Sequence, residues 1–493
     1  MSTEKRPNII LILSDNQPPD ILGCYGNEEI STPHLDQFAR EGVQFNNAFS
    51  VNAMCSPCRA SILTGLMPSQ HGIHTWLDDR IMDQWPENWN AIEAYPTLPE
   101  ILKENGYDTA LIGKYHLGVP YQPQNGFDHW VTFPLGHTRQ FWNNTIIEND
   151  KSYTYPGHIV DGFTEKAVEY IESRQASEKP FFLYLPYNAP YGHWPSVKGP
   201  AKNRFARLYA DTPMHSIPRE GVNPKAIERF LLRRGAGGDG IDYSAHLQMP
   251  NDLTTLRNYF SQMSMVDDGV GKVLAALKQQ GLDENTLVIY STDHGFSLGH
   301  NGFWGHGQAT WPANAHRPAY HIPLMIRHSG QIQANQTNDK LVSQIDLFQT
   351  IIEYADCEYT SPSPSASRSI LPLLNSEKPA WIDEEAVFME QEEVRAIRTH
   401  EWLYMARFNG SQAYPLEDEL YDLTQDPGEK RNLAQDDAYA EVAQTLRGRI
   451  EEFFARHATA QYDLWQGGSL KSNTDKPWLW NDAYGADWKP IFD

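Results

Sequence analysis

Four short apolar runs, each ending in polar or ionisable side chains, most narrow what this chain can fold into. Residues 9–13 lead into Ser14-Asp15-Asn16, 110–112 into Gly113-Lys114-Tyr115-His116, 181–185 toward His193, and 287–290 into Ser291-Thr292-Asp293-His294. Runs of this length alternate with helix-period segments as far as about residue 350. That pattern predicts an α/β fold with a large, mainly parallel sheet sandwiched by helices. Ligands of open α/β sheets bind beyond the carboxyl ends of the strands, so the four polar ends are expected to converge. One such end alone is more often a solvated loop; the expectation rests on four in one chain. Segment 256–279 has apolar spacing at Met263, Val266, Val270, Val273, Leu274 and Leu277. It predicts a helix packing on that sheet and carries no assigned chemistry.

A second constraint is Cys55-Ser56-Pro57-Cys58-Arg59-Ala60-Ser61-Ile62-Leu63-Thr64-Gly65. Pro57 suits the first turn of a helix, where its missing N–H would be unpaired anyway. Residues 60–63 can continue that helix and Gly65 can end it. Cys55 is then expected at the helix N-terminus, where free N–H groups and the dipole stabilise an anion. Arg59 adds a permanent cation. From these residues alone, a redox dithiol or half a zinc site remains open for the Cys55/Cys58 pair. The other cysteines, Cys24 and Cys357, are far away in sequence, and the chain is much longer than thioredoxin-like ones.

The whole segment, C-x-P-x-R-x-x-x-x-T-G, resembles the active-site signature of the type I sulfatases. Gly106-Tyr-Asp-Thr-Ala-Leu-Ile-Gly-Lys-Tyr-His116 is similar to their second signature, and 8–16, 291–295 and 419–433 are sulfatase-like as well. The resemblance implies the fold of the alkaline phosphatase superfamily, a large α/β domain carrying the site and a smaller C-terminal domain. It implies that a formylglycine-generating or maturase enzyme oxidises Cys55 to formylglycine (3-oxoalanine). The hydrated aldehyde then offers one hydroxyl to attack sulfur and a second whose deprotonation expels sulfate. Asp15, Asn16, Asp293 and His294, with the modified Cys55, correspond to the metal ligands. Their mainly oxygen donors favour Ca²⁺, with Mg²⁺ as the alternative. By the same resemblance Arg59 steadies the diol, Lys114 bridges it to sulfate, and His116 takes the proton for the elimination. His193, in His193-Trp194-Pro195, protonates the leaving alcohol or holds sulfate.

Three positions depart from the family pattern. Asn16 stands where Asp is common, which weakens the charge on a metal. Cys58 replaces a small residue and opens the prospect of a disulfide with Cys55. His306, in Gly305-His306-Gly307, stands where a Lys is common, with His300 as its rival in the same loop. If His306 must be cationic, rates fall as pH rises.

After residue 385 the pattern changes. Segments 386–389, 396–398 and 403–406 predict short strands, 419–433 a strand, turn and helix start, and 438–457 an amphipathic helix. The expected division is a catalytic domain, 1–385, and a C-terminal α+β subdomain, 386–493. Trp465, Trp478, Trp480 and Trp488 form an aromatic tail expected to pack back on the body, and 359–369 is a Ser/Pro-rich linker.

Net charge is −23, which makes the chain a poor candidate for binding nucleic acid or anionic membranes. Any anion site must therefore rest on local cations. Four cysteines are too few for a disulfide scaffold. No stretch reaches the length of a membrane span, and the first apolar run is too short for a signal sequence. A soluble, cytoplasmic chain is expected, or a periplasmic or secreted one if a leader has been removed. His74, Trp76, Arg139, Arg233 and Arg234 are expected in loops forming a rim, and the many Trp and Tyr suit stacking on sugars. The favoured reading is hydrolysis of a sulfated carbohydrate, small or oligomeric, ahead of aryl or choline sulfate. A phosphonate or phosphate ester hydrolase of the same superfamily, or an unmodified, non-catalytic binder of sulfated glycans, are the alternatives.

Overall fold

The computed structural model describes residues 5–235, 245–382, 385–474 and 476–492, without the side chains of 233–235, 245, 246 and 250. Its strands are β1 (Asn8–Asp15), β2 (Val43–Phe49), β3 (Asp108–Ile112), β4 (His129–Thr132), β5 (Trp142–Glu148), β6 (Lys151–His158), β7 (Phe181–Pro190), β8 (Thr286–Thr292), β9 (Ser297–Leu298), β10 (Trp304–Gly305), β11 (His321–His328), β12 (Gln336–Ser343), β13 (Val387–Gln391), β14 (Val394–Arg398), β15 (Trp402–Arg407) and β16 (Glu419–Asp422). Ten form one sheet in the order β12-β2-β11-β8-β1-β7-β3-β4-β5-β6. The four apolar runs are β8, β1, β7 and β3, side by side and parallel at its centre. Antiparallel partners extend both flanks: β11 beside β8, and the hairpin β5–β6, which the sequence periodicity did not single out.

The central strands read as unbroken apolar runs because both sheet faces are covered. With a side-chain period of two, Ile10 and Ile12 enter one core layer, while Ile9, Leu11 and Leu13 enter the other. The first layer is closed by helices Pro33–Arg40, Ile159–Glu172 and Leu253–Gln279, the second by Cys55–Thr64, Leu98–Glu104 and Asp346–Tyr354. The helix expected at 256–279 is present, and all six of its predicted packing residues are buried. Each such side chain stabilises the fold by about 1.5–3 kcal/mol. The layers clamp β1 and β8 from both sides and hold their polar ends at one place.

The smaller sheet, β13–β16, is antiparallel, and helix Ala440–His457 packs on it through Leu446, Ile450 and Phe454. The boundary expected at 385/386 falls just before β13. The aromatic tail does pack back: Trp480 and Leu479 are buried against Trp311 of the large part and Phe408 after β15. No helix among the described residues is long and apolar enough to cross a membrane.

Candidate active site

β1 and β8 are parallel neighbours, with Ser14 opposite Thr292, so Asp15 and Asp293 emerge side by side. Two adjacent buried carboxylates repel unless cations separate them. Arg59 Nη2 lies 2.8 Å from Asp293 Oδ2 and 3.4 Å from Asp15 Oδ2, and Lys114 Nζ lies 2.6 Å from Asp15 Oδ2. All four side chains are fully buried. Burial favours the neutral form of Asp293, but His294, Arg59 and Lys114 outweigh it and hold the carboxyl well below the usual range. Burial likewise opposes the charge on Lys114, and Asp15 outweighs it.

Helix Cys55–Thr64 forms as its sequence implies. It starts after Met54 in extended conformation and ends at Gly65, left-handed at φ +69°, whose N–H caps Ser61. This sets Cys55 Sγ 3.5 Å from Asp15 Oδ1 and 3.5 Å from His294 Nε2. Donor atoms of Asp15, Cys55, Asp293 and His294 all lie within 4.8 Å of one another. His294 Nδ1 donates to the Gly295 carbonyl at 2.7 Å, which turns Nε2 toward the cluster. Asn16 follows Asp15 at φ +63°, and its buried amide has no hydrogen-bond partner at either atom. An orphaned buried amide is costly, and a cation coordinated by its Oδ1 would remove the oxygen's share of that cost. The donor set therefore fits a hard divalent cation.

Cys58 does not compete for this site. Its thiol donates to the Asn52 carbonyl at 2.9 Å, and both it and Cys55 are free thiols. Cys58 is also outside the metal-ligating group, and Cys24 and Cys357 lie elsewhere. Burial, then Asp15, pushes the Cys55 thiol well up. An unmodified thiol here is a poor nucleophile.

His116 follows β3 with φ +57°. Its Nε2 donates to the Leu77 carbonyl at 2.7 Å, so Nδ1 keeps a lone pair, buried and without a partner. Burial, then Lys114 and His137, lowers its pKa well below the usual imidazole value. It is thus neutral and able to accept a proton. Gly136 packs on the ring so closely that a Cβ would sit 2.1 Å away.

His193 and His306 face one another with ring centroids 5.0 Å apart, and His306 lies 5.4 Å from the His294 ring. Trp304 ties their loops together by donating to the Gly192 carbonyl at 2.7 Å. Both histidines line a cavity of about 390 Å³ with Asn16 and Cys55. His300 is not there: its Nε2 pairs with Asp20 at 3.1 Å, beside another cavity.

Of the expected rim, Trp76 and Arg139 line the cavity. His74 does not; it is buried and donates from Nε2 to the Tyr462 carbonyl at 2.9 Å, so it serves packing. Arg233 and Arg234 belong to helix Pro224–Gly235, not to a loop, and their side chains lie outside the described residues. Sequence reasoning missed Asp79, His137, Arg229 and Gln308, which also line the cavity. Asp79 anchors one wall, accepting from the Gly136 and His137 amides at 3.0 and 3.2 Å and pairing with Arg139 at 3.2 Å. These residues come from a loop, two short 3-10 turns and one α-helix, and no local pattern marks them.

The model of the sulfatase family matches residues 7–357, and that of the C-terminal region of N-sulphoglucosamine sulphohydrolase matches 314–456. N-acetylglucosamine-6-O-sulfatase of Bacteroides thetaiotaomicron is 27% identical, over 91% of this chain and 86% of that protein. Human N-sulphoglucosamine sulphohydrolase is 26% identical, over 90% and 89%. A solved protein in complex with its substrate D-glucosamine-2-N,6-O-disulfate superimposes with TM-score 0.71 at 25% identity, over 92% of this chain and 98% of that one. The phosphonate monoester hydrolase of Agrobacterium radiobacter, 21% identical with TM-score 0.69 over 92% and 97%, shares the fold.

Proposed function

The chain belongs to the sulfatase family and is a sulfuric ester hydrolase, and from that premise we propose that it releases sulfate from a sulfated carbohydrate at Cys55. The observation that carries this reading is the closed group of Asp15, Asp293 and His294 around Cys55, with Arg59 and Lys114 among the carboxylates. Asp15, Asn16, Asp293 and His294, with the modified Cys55, would hold Ca²⁺, or Mg²⁺ in its place. When bound, such an ion lowers the pKa of an oxygen nucleophile and polarises a sulfate oxygen. Formylglycine, made from Cys55 by a generating or maturase enzyme, would supply that nucleophile as a hydrated aldehyde.

The chain's own residues do the rest. Arg59 and Lys114 keep positive charge where sulfate oxygens enter. Neutral His116 receives a proton at Nδ1. His193 and His306 line the opposite wall, where they donate to the leaving oxygen or to sulfate. Trp76 and Trp194 present ring surface to a sugar. The two similar proteins named for amino-sugar substrates support carbohydrate as the leaving group.

The test has two parts. Mass analysis of the peptide holding Cys55 is expected to show aldehyde rather than thiol or disulfide. The converted protein should then hydrolyse 4-nitrophenyl sulfate at least about tenfold faster than 4-nitrophenyl phosphate and phenylphosphonate. The reverse preference makes it a phosphorus ester hydrolase, and a permanent thiol with glycan binding alone makes it a binder.

Metal removal gives a separate check. Dialysis against a chelator is expected to lower kcat by roughly 100-fold or more, with recovery on adding calcium. Circular dichroism should not change, because Arg59 and Lys114 still compensate both carboxylates. An undiminished rate in protein shown to be metal-free sinks the assignment of these ligands.

A further inference from the structure

The loop that carries His306 is held from behind by a buried ionic group that the reaction itself does not use. Glu392 and Glu393 form the turn between β13 and β14, and both are fully buried. Lys476, from the C-terminal tail and also fully buried, places Nζ 2.5 Å from Glu393 Oε2 and 3.1 Å from Glu392 Oε2. Glu393 Oε1 accepts from the Ala313 amide at 2.8 Å. Glu392 Oε1 accepts from Thr474 at 2.7 Å and Trp480 Nε1 at 3.3 Å, and its Oε2 accepts from Gln308 Nε2 at 2.9 Å. Burial opposes ionisation of Glu392, but Lys476 and these donors outweigh it and keep the carboxyl below its usual range.

A carboxylate can only accept, so it must face the amide nitrogen of Gln308. The amide is thereby fixed, and its oxygen has one orientation. That oxygen is buried and accepts no hydrogen bond. Yet Gln308 lines the same cavity as Cys55, two residues beyond His306. Desolvating two carboxylates and an ammonium is a costly way to tie this loop to the C-terminal tail when apolar packing would serve the fold as well. The arrangement makes sense if the direction of the amide matters.

We propose that Gln308 Oε1 accepts a hydrogen bond from a hydroxyl or amide N–H on the alcohol being released, and that Lys476, through Glu392, is the positioning residue for that acceptor. This inference rests on the sulfatase reading and narrows its substrate class. The leaving alcohol carries a donor of its own, as a sugar or acylamino sugar does and a simple aryl alcohol or choline does not. A site with an unpaired acceptor discriminates against any substrate that leaves it unpaired, because only the matching donor satisfies it in the complex.

The experiment compares kcat/KM for N-acetylglucosamine 6-sulfate and 4-nitrophenyl sulfate, using full-length protein with Cys55 converted. In Gln308→Met, which keeps length and volume, the sugar-to-aryl ratio is expected to fall roughly tenfold or more. Lys476→Met should lower the same ratio, and Lys476→Arg, which keeps the cation, should restore most of it. A ratio unchanged within about twofold in Gln308→Met overturns the inference, whatever the folding of the Lys476 variants. So does a wild type that prefers the aryl ester, which leaves the sulfatase reading standing. Hydrolysis of neither ester by converted wild type overturns the sulfatase reading itself.

Discussion

Cys55→Ala is expected to lower kcat/KM for a sulfated sugar by roughly 10⁴-fold or more, the loss typical when a covalent nucleophile is removed. The fold should survive. The side chain sits at the start of its helix, and helix Cys55–Thr64 is held by Ala60, Ile62 and Leu63 in the core and by its Gly65 cap. A truncation of this size outside the tightly packed layer changes stability by about 1 kcal/mol. Asp15, Asn16, Asp293 and His294 remain to hold metal, so metal content per chain should stay near that of wild type. The measurement pairs steady-state rates with metal analysis and a thermal melt. Substantial turnover by a folded, metallated alanine variant refutes a mechanism centred on Cys55.

Arg59→Met is expected to damage both catalysis and stability. The Arg59 guanidinium is fully buried and bridges Asp293, Asp15 and the Lys114 carbonyl, the last at 2.7 Å. Burial works against its charge, yet Asp293 more than compensates and raises its pKa. Without Arg59 the two carboxylates share Lys114 alone. Breaking a buried ionic group by removing one partner costs about 3–5 kcal/mol. A bound divalent cation offsets part of that loss, so the destabilisation should be larger in chelator than in calcium. Losing a positive charge at the reacting sulfate should also lower kcat by roughly 10²–10³-fold.

The acid side gives this second prediction a sign. The folded pKa of Asp293 is depressed. Its contribution to stability is therefore fully present above the unfolded carboxylate value of about 4 and is lost as pH falls below it toward the depressed folded value. Arg59→Met removes part of that depression. The stability gap to wild type, measured by urea unfolding in chelator, should be widest from about pH 5 to 7 and narrow below about pH 4. A gap that widens on acidification means that Arg59 acts through packing rather than through charge.

How much of this was legible beforehand depends on the range of the interaction. Residues 9–13 are apolar at every position, and burial of both faces at the sheet centre explains that locally. Pro57 and Gly65 mark the ends of a helix through their own backbone restrictions, and that helix puts Cys55 where it stands. Asp293-His294 directly follow β8, as Asp15 ends β1, so the parallel pairing of two readable strands was enough to bring the carboxylates together. All of these follow from patterns spanning a few residues.

The loops were another matter. His300 and His306 are six positions apart in a segment without periodicity, and local chemistry does not separate them. Asn301 and Gly302 both take positive φ there, and Gly302 lies against the Gly221 carbonyl too closely for any side chain. That turn sends His300 to Asp20 and brings His306 to the cavity. His74 reads as an exposed loop residue until Tyr462, from the far end of the chain, covers it. The Gln308 amide takes its direction from Glu392, which Lys476 holds together with Glu393 behind it. The sequence by itself determined the central strands, the helix that carries Cys55 and the polar strand ends, because backbone preference and side-chain period act over a few residues. Which histidine lines the cavity, which loops wall it and which way the Gln308 amide is turned were decided by the tertiary structure, because those depend on contacts between segments from about eighty to nearly four hundred residues apart.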